Sequence, residues 1–354
     1  MAELRKDPIS GRWVIISADR NKRPSDFAHS NIAKDSGNKC PFCAGNESAT
    51  PPEITAIREG GTQANQPGWK VRVVPNKFPA LKIEGELDKR GVGLYDMMNG
   101  VGAHEVIIES PLHNVSMADL ETAQIKDVLD IYKNRILDLS KDPRFKYILV
   151  FKNHGYNAGA SLSHSHSQVI ATPVTPINIK RDLNAAKNYF QLKDRCLFCD
   201  IISQELMFGK DRIAVENEHF VALAPYASRF PFELSLIPKK HNHQFTSVSE
   251  EEQWACAEML KTVLVRLRDL LDDPAYNFIL HTSPKIDSQT RPGYWVTLPN
   301  DFHWHIEIIP RLTRIAGFEW GTGFYINPMA PEIAAKYIRQ WEIKKKECNY
   351  SSSS

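Results

Sequence analysis

The stretch SLSHSHSQVIATP (161–173) places His164 and His166 two positions apart, with Gln168 next in the same alternation. An extended chain sends alternate side chains to one face, so the two imidazoles and the amide share one side of a strand. Two chemistries use histidine in this setting: metal ligation through one ring nitrogen, and covalent attack by a neutral ring. Two further stretches carry thiols at ligand spacing: Cys40 and Cys43 in KCPFCAG, and Cys196 and Cys199 in RCLFCDI. Cys256 lies in an apolar helical run and reads as a small core residue. Cys348 stands alone near the C-terminal end.

These residues belong to a pattern that occurs twice. The segment AHEVIIESPLHN (103–114) matches PFELSLIPKKHN (231–242), with Glu105 eight residues before His113 and Glu233 eight before His241. A helix is predicted after each, because Leu120, Ile125, Val128, Leu129, Tyr132 and Ile136 fall at helical spacing, as do Trp254, Ala257, Leu260, Val263, Leu264, Leu267 and Leu271. Ser249 followed by Glu252 is a capping-box signal for the second. Strands follow at KYILVFKN (146–153) and YNFILHTS (276–283), and then HSHSQVI (164–170) and HWHIEII (303–309). Upstream, NKFPAL (76–81) matches EHFVAL (218–223), and a CxxC opens each half.

Six landmarks in one order mean duplication. Each half is expected to be an α+β unit, an antiparallel sheet carrying a long helix. The expected division is 1–180 for the first half, 181–343 for the second and 344–354 for a disordered polar tail. Residues 172–195 link the halves through TPVTP and a helix around Arg181 to Gln191, and 283–302 reads as a Pro- and Gly-punctuated loop.

Structural zinc takes four tetrahedral Cys or His ligands, with one pair held close by CxxC. The repeat selects Cys40, Cys43, His113 and His164 in the first half, and Cys196, Cys199, His241 and His303 in the second. Both sets are complete without water, so both sites are expected to be structural, each worth roughly 10–16 kcal/mol of apparent binding free energy in small zinc modules. The bland alternative is two pairs of reduced core cysteines with surface histidines. His281 and His305 either assist the second metal or are core polar residues.

With His164 a ligand, His166 is left free on the same strand face. A neutral histidine can attack phosphorus if its other nitrogen is tied to an acceptor. Gln168 and Ser161 then supply neutral donors to a phosphoryl group, and backbone N–H groups of the run NAGAS (157–161) could approach it. The competing reading makes His166 a polar strand residue facing solvent. The second half keeps the His-x-His but has Glu307 where the first has Gln168, which assigns catalysis to the first half and scaffolding to the second.

The composition narrows the class. The chain has 354 residues, 42% hydrophobic and 24% charged, with a formal net charge of +2. This is an ordinary globular composition with no basic surplus for nucleic acid or anionic membrane. No apolar run is long enough to cross a bilayer and no secretory signal is evident, so a cytoplasmic location is expected. A zinc-finger nucleic-acid module is disfavoured, since the cysteine-to-histidine gaps far exceed a finger's. A zinc deaminase is disfavoured too, because HIE (305–307) follows the cysteine pairs instead of preceding one.

SHSHSQ after FKN and GAS, together with the paired CxxC landmarks, resembles the galactose-1-phosphate uridylyltransferase branch of the histidine-triad superfamily. The resemblance runs from LRKDPISGRWVIISADRNKRP (4–24) to GFEWGTGFYINP (317–328). It implies a homodimer of duplicated histidine-triad-like halves that exchanges nucleotides by ping-pong through a nucleotidyl-histidine. It assigns His166 as nucleophile and Gln168 as phosphate partner. Asn153 and Ser161 become phosphate and nucleotide contacts, Arg20 and Arg23 a phosphate-reaching segment that acts partly across the dimer, and Asn76 a contact near the ribose or base. Glu319, Tyr325 and Asn327 match a stretch expected to touch sugar. The implied activity is UDP-glucose:hexose-1-phosphate uridylyl transfer, with UDP-sugar and hexose 1-phosphate as substrates. The serine spacers of SHSHSQ and the segment GFEWGTGFYINP are also similar to family members of the plant ADP-glucose phosphorylase type, which use ADP-glucose and phosphate.

Overall fold

The computed structural model describes residues 2–17, 23–27, 40–285 and 295–351, the last ten in backbone alone. The first half forms β1 (Glu3–Lys6), β2 (Trp13–Ile16), β3 (Thr55–Arg58), β4 (Trp69–Pro75), an exposed hairpin of β5 (Arg90–Val92) and β6 (Tyr95–Met97), and β7 (Ala103–Ile108). Helix α1 (Thr122–Leu139) follows, then β8 (Tyr147–His154) and β9 (His166–Thr172). The second half opens with α2 (Ile177–Lys193) and α3 (Leu197–Met207) and continues through β10 (Ile213–Glu216), β11 (Phe220–Leu223) and β12 (Leu234–Pro238). Helix α4 (Glu250–Leu271), β13 (Tyr276–His281), α5 (Leu298–Asp301) and β14 (His305–Pro310) complete the repeat. The chain ends with α6 (Gly317–Thr322), β15 (Tyr325–Asn327) and α7 (Pro331–Ser351).

Both halves contribute to one antiparallel sheet in the order β10-β11-β12-β14-β13-β8-β9-β7-β4-β3. The order is a palindrome of the duplication. β13 and β8 pair at the centre, with Phe278 opposite Lys152 and Leu280 opposite Val150. Outward from that seam β9 answers to β14, β7 to β12, β4 to β11 and β3 to β10. The α+β class with antiparallel sheets and packed helices is therefore as expected, but the halves share a sheet instead of forming separate ones.

Register corrects one detail of the repeat. Gln168 faces Val106 and Phe151, whereas Glu307 faces Ser235 and Ile279. Val106 thus corresponds to Ser235, and the counterpart of Glu233 is His104, not Glu105. The turn before the histidine ligand is one residue longer in the first half; a turn absorbs such a change, whereas a strand shifted by one would turn its buried face outward.

Helices α1 and α4 pack together on one face of the sheet. They bury Ile125, Val128, Leu129, Tyr132, Cys256, Leu260, Val263 and Leu264 at or near zero exposure, each large aliphatic among them worth about 1.5–3 kcal/mol. The Ser249–Glu252 capping box is present, with Glu252 N–H donating to Ser249 Oγ at 3.2 Å and Ser249 N–H to Glu252 Oε2 at 2.8 Å. Cys256 is a core residue as read, its thiol pushed up to about 12 by burial. The opposite sheet face of the first half carries the cluster Phe42, Trp69, Val74, Val106 and Ile108 under the Cys40–Cys43 turn. The opposite face of the second half carries α2, α3 and α5.

The linker helix spans slightly more than expected, and α5 falls within the stretch read as loop, part of which (286–294) lies outside the described residues. Helix α7 extends over positions read as a disordered tail. A small sheet, β1-β2-β15, packs on the second half through Val14, Ile16 and Ala227. Among the described residues no helix is long and apolar enough to cross a membrane.

Candidate active site and metal centres

The strand β9 and the turn before it deliver His164, His166 and Gln168 to the face opposite α1. His164 meets Cys40, Cys43 and His113, and all four potential ligand atoms lie within 4.8 Å of one another. Tetrahedral bonds of about 2.3 Å to sulfur and 2.05 Å to nitrogen would separate S from N by about 3.5 Å. The observed separations are 3.6 Å for Cys40 Sγ to His164 Nδ1, 3.6 Å for Cys43 Sγ to His164 Nδ1 and 3.3 Å for Cys43 Sγ to His113 Nδ1. His164 Nε2 donates to the Ser110 carbonyl at 2.7 Å, which leaves the Nδ1 lone pair for an ion.

Cys196, Cys199, His241 and His303 repeat this arrangement within the same 4.8 Å limit. Cys199 Sγ lies 3.4 Å from His241 Nδ1 and 3.6 Å from His303 Nδ1. His241 Nε2 donates to the Pro299 carbonyl at 2.9 Å. Two complete Cys2His2 groups therefore exist, each with the residues chosen from the repeat and a geometry that fits an ion.

His166 stands outside the first group. Its Nδ1 donates to the His164 carbonyl at 2.7 Å, so Nε2 carries the lone pair. Burial holds the ring neutral by pushing its pKa below the usual histidine value. The Phe42 ring, carried between the two ligand cysteines, packs edge-on at 5.3 Å between centroids. The solvent-facing alternative for His166 is excluded, since the residue is 6% exposed.

Gln168 is oriented by His104, which had no motif to reveal it. The Ala80 N–H donates to His104 Nδ1 at 3.1 Å, so His104 Nε2 carries the proton and donates to Gln168 Oε1 at 2.7 Å. Asn76 lies beside both, its Nδ2 3.5 Å from Gln168 Oε1. With Oε1 taken, the Gln168 amide NH2 has no partner among the described residues and remains able to donate to an anion.

Asn153 lies on the same sheet face, past the end of the β8–β9 ladder, and its Oδ1 accepts from Asn277 of the second half at 2.9 Å. Asn277 also donates to the Ala158 carbonyl at 2.9 Å, which ties down the loop before Ser161. Gly155 and Gly159 allow that loop its positive φ of 79° and 89°. Ser161 itself is exposed in it.

The remaining sequence candidates are elsewhere. Arg20 lies outside the described residues. Arg23 is exposed next to a short turn, Pro24–Asp26, whose following residue Phe27 packs on Phe232 of the second half. Glu319 caps α6 through the Ala316 N–H at 2.9 Å. Tyr325 packs on Phe230, with ring centroids 5.4 Å apart. Asn327 is 1% exposed, donates to the Ser228 carbonyl and accepts from Met329 N–H. A sugar contact by Asn327 is corrected on that ground, because both ends of its amide are used within the fold.

The equivalent place in the second half carries its own charges, and His281, His305, Glu307, Arg229 and Glu233 line a cavity there together with Arg181 and Asp182. His305 Nδ1 donates to the His303 carbonyl at 3.1 Å, and Phe198 packs on its ring at 5.1 Å, as in the first half. His281 stacks on His305 at 4.6 Å, and Glu307 joins them within ligand distance. Arg229, however, donates to Glu307 at 3.0 Å and to Glu233 at 2.7 Å. A guanidinium thus engages the positions corresponding to Gln168 and His104. His281 and His305 are partners in this buried network and not ligands of the second Cys2His2 group.

A model of the galactose-1-phosphate uridyl transferase N-terminal domain matches residues 1–176, and a model described as a domain of unknown function (DUF4921) matches residues 109–350. An ADP-glucose phosphorylase of Arabidopsis thaliana is 38% identical over 96% of this chain and 92% of its own length. A galactose-1-phosphate uridylyltransferase of Thermotoga maritima is 30% identical over 97% of this chain and 100% of its own. A crystal structure of the Arabidopsis thaliana phosphorylase with bound ADP-glucose aligns with a TM-score of 0.80, covering 96% of this chain and 99% of the other at 38% identity. A uridylyltransferase structure aligns at 0.71, with 26% identity over 96% and 97% of the two chains. With relatives of this identity aligned along nearly all of its length, the chain belongs to the galactose-1-phosphate uridylyltransferase family, plant ADP-glucose phosphorylase-like members included, and is a nucleotidyltransferase-type enzyme.

Proposed function

We propose that the chain moves a nucleoside monophosphate from a nucleoside diphosphate sugar to a second phosphate-bearing acceptor by way of His166. The observation that carries this reading is the buried His166 ring, with Nδ1 bound to the His164 carbonyl and Nε2 outside the ligand group. Nε2 attacks the α-phosphorus as the bond from that phosphorus to the bridging oxygen breaks. Hexose 1-phosphate leaves with the electron pair. Nδ1 keeps its proton, and the positive charge on the ring of the nucleotidyl-histidine is met by the His164 carbonyl. In the second half-reaction an acceptor phosphate oxygen attacks the same phosphorus, and the P–N bond breaks to return neutral His166. Gln168 donates to a phosphoryl oxygen, in the orientation that His104 imposes.

Asn76, Asn153 and Ser161 line the nucleotide and phosphate path, and Arg20 and Arg23 supply phosphate contacts. Phe27, beside Arg23, packs on Phe232, Tyr325 packs on Phe230 and pairs with Val14 of β2, and Glu319 caps α6, so none of these contacts is to a residue placed around His166. These residues therefore serve the site of a second copy, and the working form is a cytoplasmic homodimer with neither nucleic acid nor membrane as partner. Zinc occupies both Cys2His2 groups. It fixes the Cys40–Cys43 turn and His164 in the first half and the corresponding elements in the second, and takes no part in the transfer.

The first reading of the substrates is UDP-glucose with galactose 1-phosphate, supported by the uridylyltransferase relatives. ADP-glucose with phosphate is the second, favoured by the greater identity and TM-score of the phosphorylase. The test incubates the protein with each pair separately, using donor labelled in the nucleotide. One pair should turn over and leave an acid-labile, base-stable nucleotide adduct on His166. Full exchange by His166→Ala would refute the covalent route.

A further inference from the structure

We infer that Lys152 and Glu109, with the spacer residues Ser165 and Ser167, form a buried ionic clamp that positions His166 for attack. The inference rests on His166 being the nucleophile and adds the device that holds it. The β8 side of the ladder stops at the pair Phe151–Gln168, just short of His166. There Lys152 Nζ takes over, donating to the His166 carbonyl at 3.1 Å, to Ser165 Oγ at 3.0 Å and to Glu109 Oε2 at 2.6 Å. All three ammonium hydrogens are thus used. Glu109 accepts from Ser165 Oγ at 2.6 Å and from Ser167 Oγ, and Tyr132 hydrogen-bonds to Ser167. The Glu109 N–H donates to the Ser165 carbonyl at 3.2 Å. The residues on both sides of the nucleophile, and its own carbonyl, are thereby fastened from behind the sheet. No member of the clamp exceeds 3% exposure.

The duplication shows what the fold needs at these positions. By ladder register Lys152 corresponds to Leu280, Glu109 to Pro238, Ser165 to Trp304 and Ser167 to Ile306. Every member of the clamp has an apolar counterpart in the second half, where Arg229 engages the position of Gln168, and there Leu280, Trp304 and Ile306 are fully buried. A sheet of this geometry therefore stands without the charges. Replacing a buried ion pair by apolar groups of similar volume is often neutral or stabilising, so stability alone does not account for this one. Placement does, because a misplacement of about 1 Å in a reacting group can cost about 100-fold in rate.

The test is the double variant K152M/E109Q in the full chain, which removes both charges and keeps volume. Single-turnover formation of the histidine adduct is measured beside KM, zinc content, the thermal midpoint and the exchange of the His166 Nδ1–H in histidine labelled with nitrogen-15. The expected result is adduct formation slowed about 10-fold or more, by analogy with other misplaced reacting groups, with KM within about 2-fold of the parent. The zinc and thermal midpoint should be retained and the Nδ1–H should exchange faster. A folded double variant that forms adduct at the parental rate overturns the clamp. Should it fail to fold, Tyr132→Phe decides, since it removes only the hydroxyl that meets Ser167 and Glu109: slowed adduct formation with unchanged KM supports the clamp, and a parental rate overturns it. His166→Ala run in parallel separates the two levels. If it still forms adduct, the nucleophile itself is wrong; if it does not and K152M/E109Q does at the parental rate, only the clamp is wrong.

Discussion

The duplication supplies an internal control for the contact between Phe42 and His166. Phe42 sits between the two ligand cysteines and meets the His166 ring edge-on, with 5.3 Å between centroids and 63° between planes. Phe198 occupies the same place in the second CxxC and meets His305 at 5.1 Å and 32°. Replacing each by leucine keeps an apolar but smaller side chain and removes the aromatic edge. An aromatic pair contributes about 0.5–1.5 kcal/mol beyond area. If that energy holds the His166 ring at the angle of attack, its loss slows adduct formation about 2- to 13-fold at roughly 1.4 kcal/mol per decade. Rapid-quench measurement of the first half-reaction should find Phe42→Leu slowed by that factor with its zinc retained. Phe198→Leu should keep the parental rate and lose thermal stability, because Phe198 is fully buried in the second half. Equal slowing by both variants, or a parental rate for Phe42→Leu, would refute the positioning role of the metal turn.

Three further outcomes are expected. Cys40→Ser and Cys196→Ser should each lower zinc from about two to about one per chain, measured by elemental analysis, with absorption spectroscopy giving Zn–S near 2.3 Å and Zn–N near 2.05 Å in the parent; undiminished zinc in either variant would remove that site. Arg135 grips Glu105 through two 2.7 Å hydrogen bonds at under 10% side-chain exposure, so Arg135→Met should cost about 3–5 kcal/mol in urea titrations, and pairing it with Glu105→Leu should recover much of that. Asp182 is pushed up to about 6 by burial. The folded state then binds the extra proton between the usual carboxylate range and pH 6, so this group's contribution falls as pH rises through that window; Asp182→Asn should raise the thermal midpoint at pH 7 and leave it nearly unchanged at pH 4.

Much of the site was legible because its signals are local. The CxxC pairs, the His-x-His pairs and the intervening histidines lie at fixed spacings, and the duplication chose among twelve histidines by position. Helices α1 and α4 followed from their apolar period, and the capping box marked where α4 begins. His104 gave no such signal. It is one histidine in a strand, and its role arises only because register sets it beside Gln168. Lys152 and Glu109 were equally silent, for they lie 43 residues apart and meet only when the sheet closes. The serine spacers carried information that spacing could not express, since their function is on the helix side of the strand.

The sequence by itself determined which groups could bind an ion or attack phosphorus, and that the unit bearing them occurs twice, because residue type and short-range period are properties of neighbours in the chain. Only the tertiary structure decided that the halves merge into one sheet, that a guanidinium pairs with Glu307 and Glu233 in the second site and that an ion pair braces the first. Those outcomes depend on which distant strands pair and in what register, and the free energy selecting that pairing comes from burying whole faces together, a quantity no short window of sequence contains.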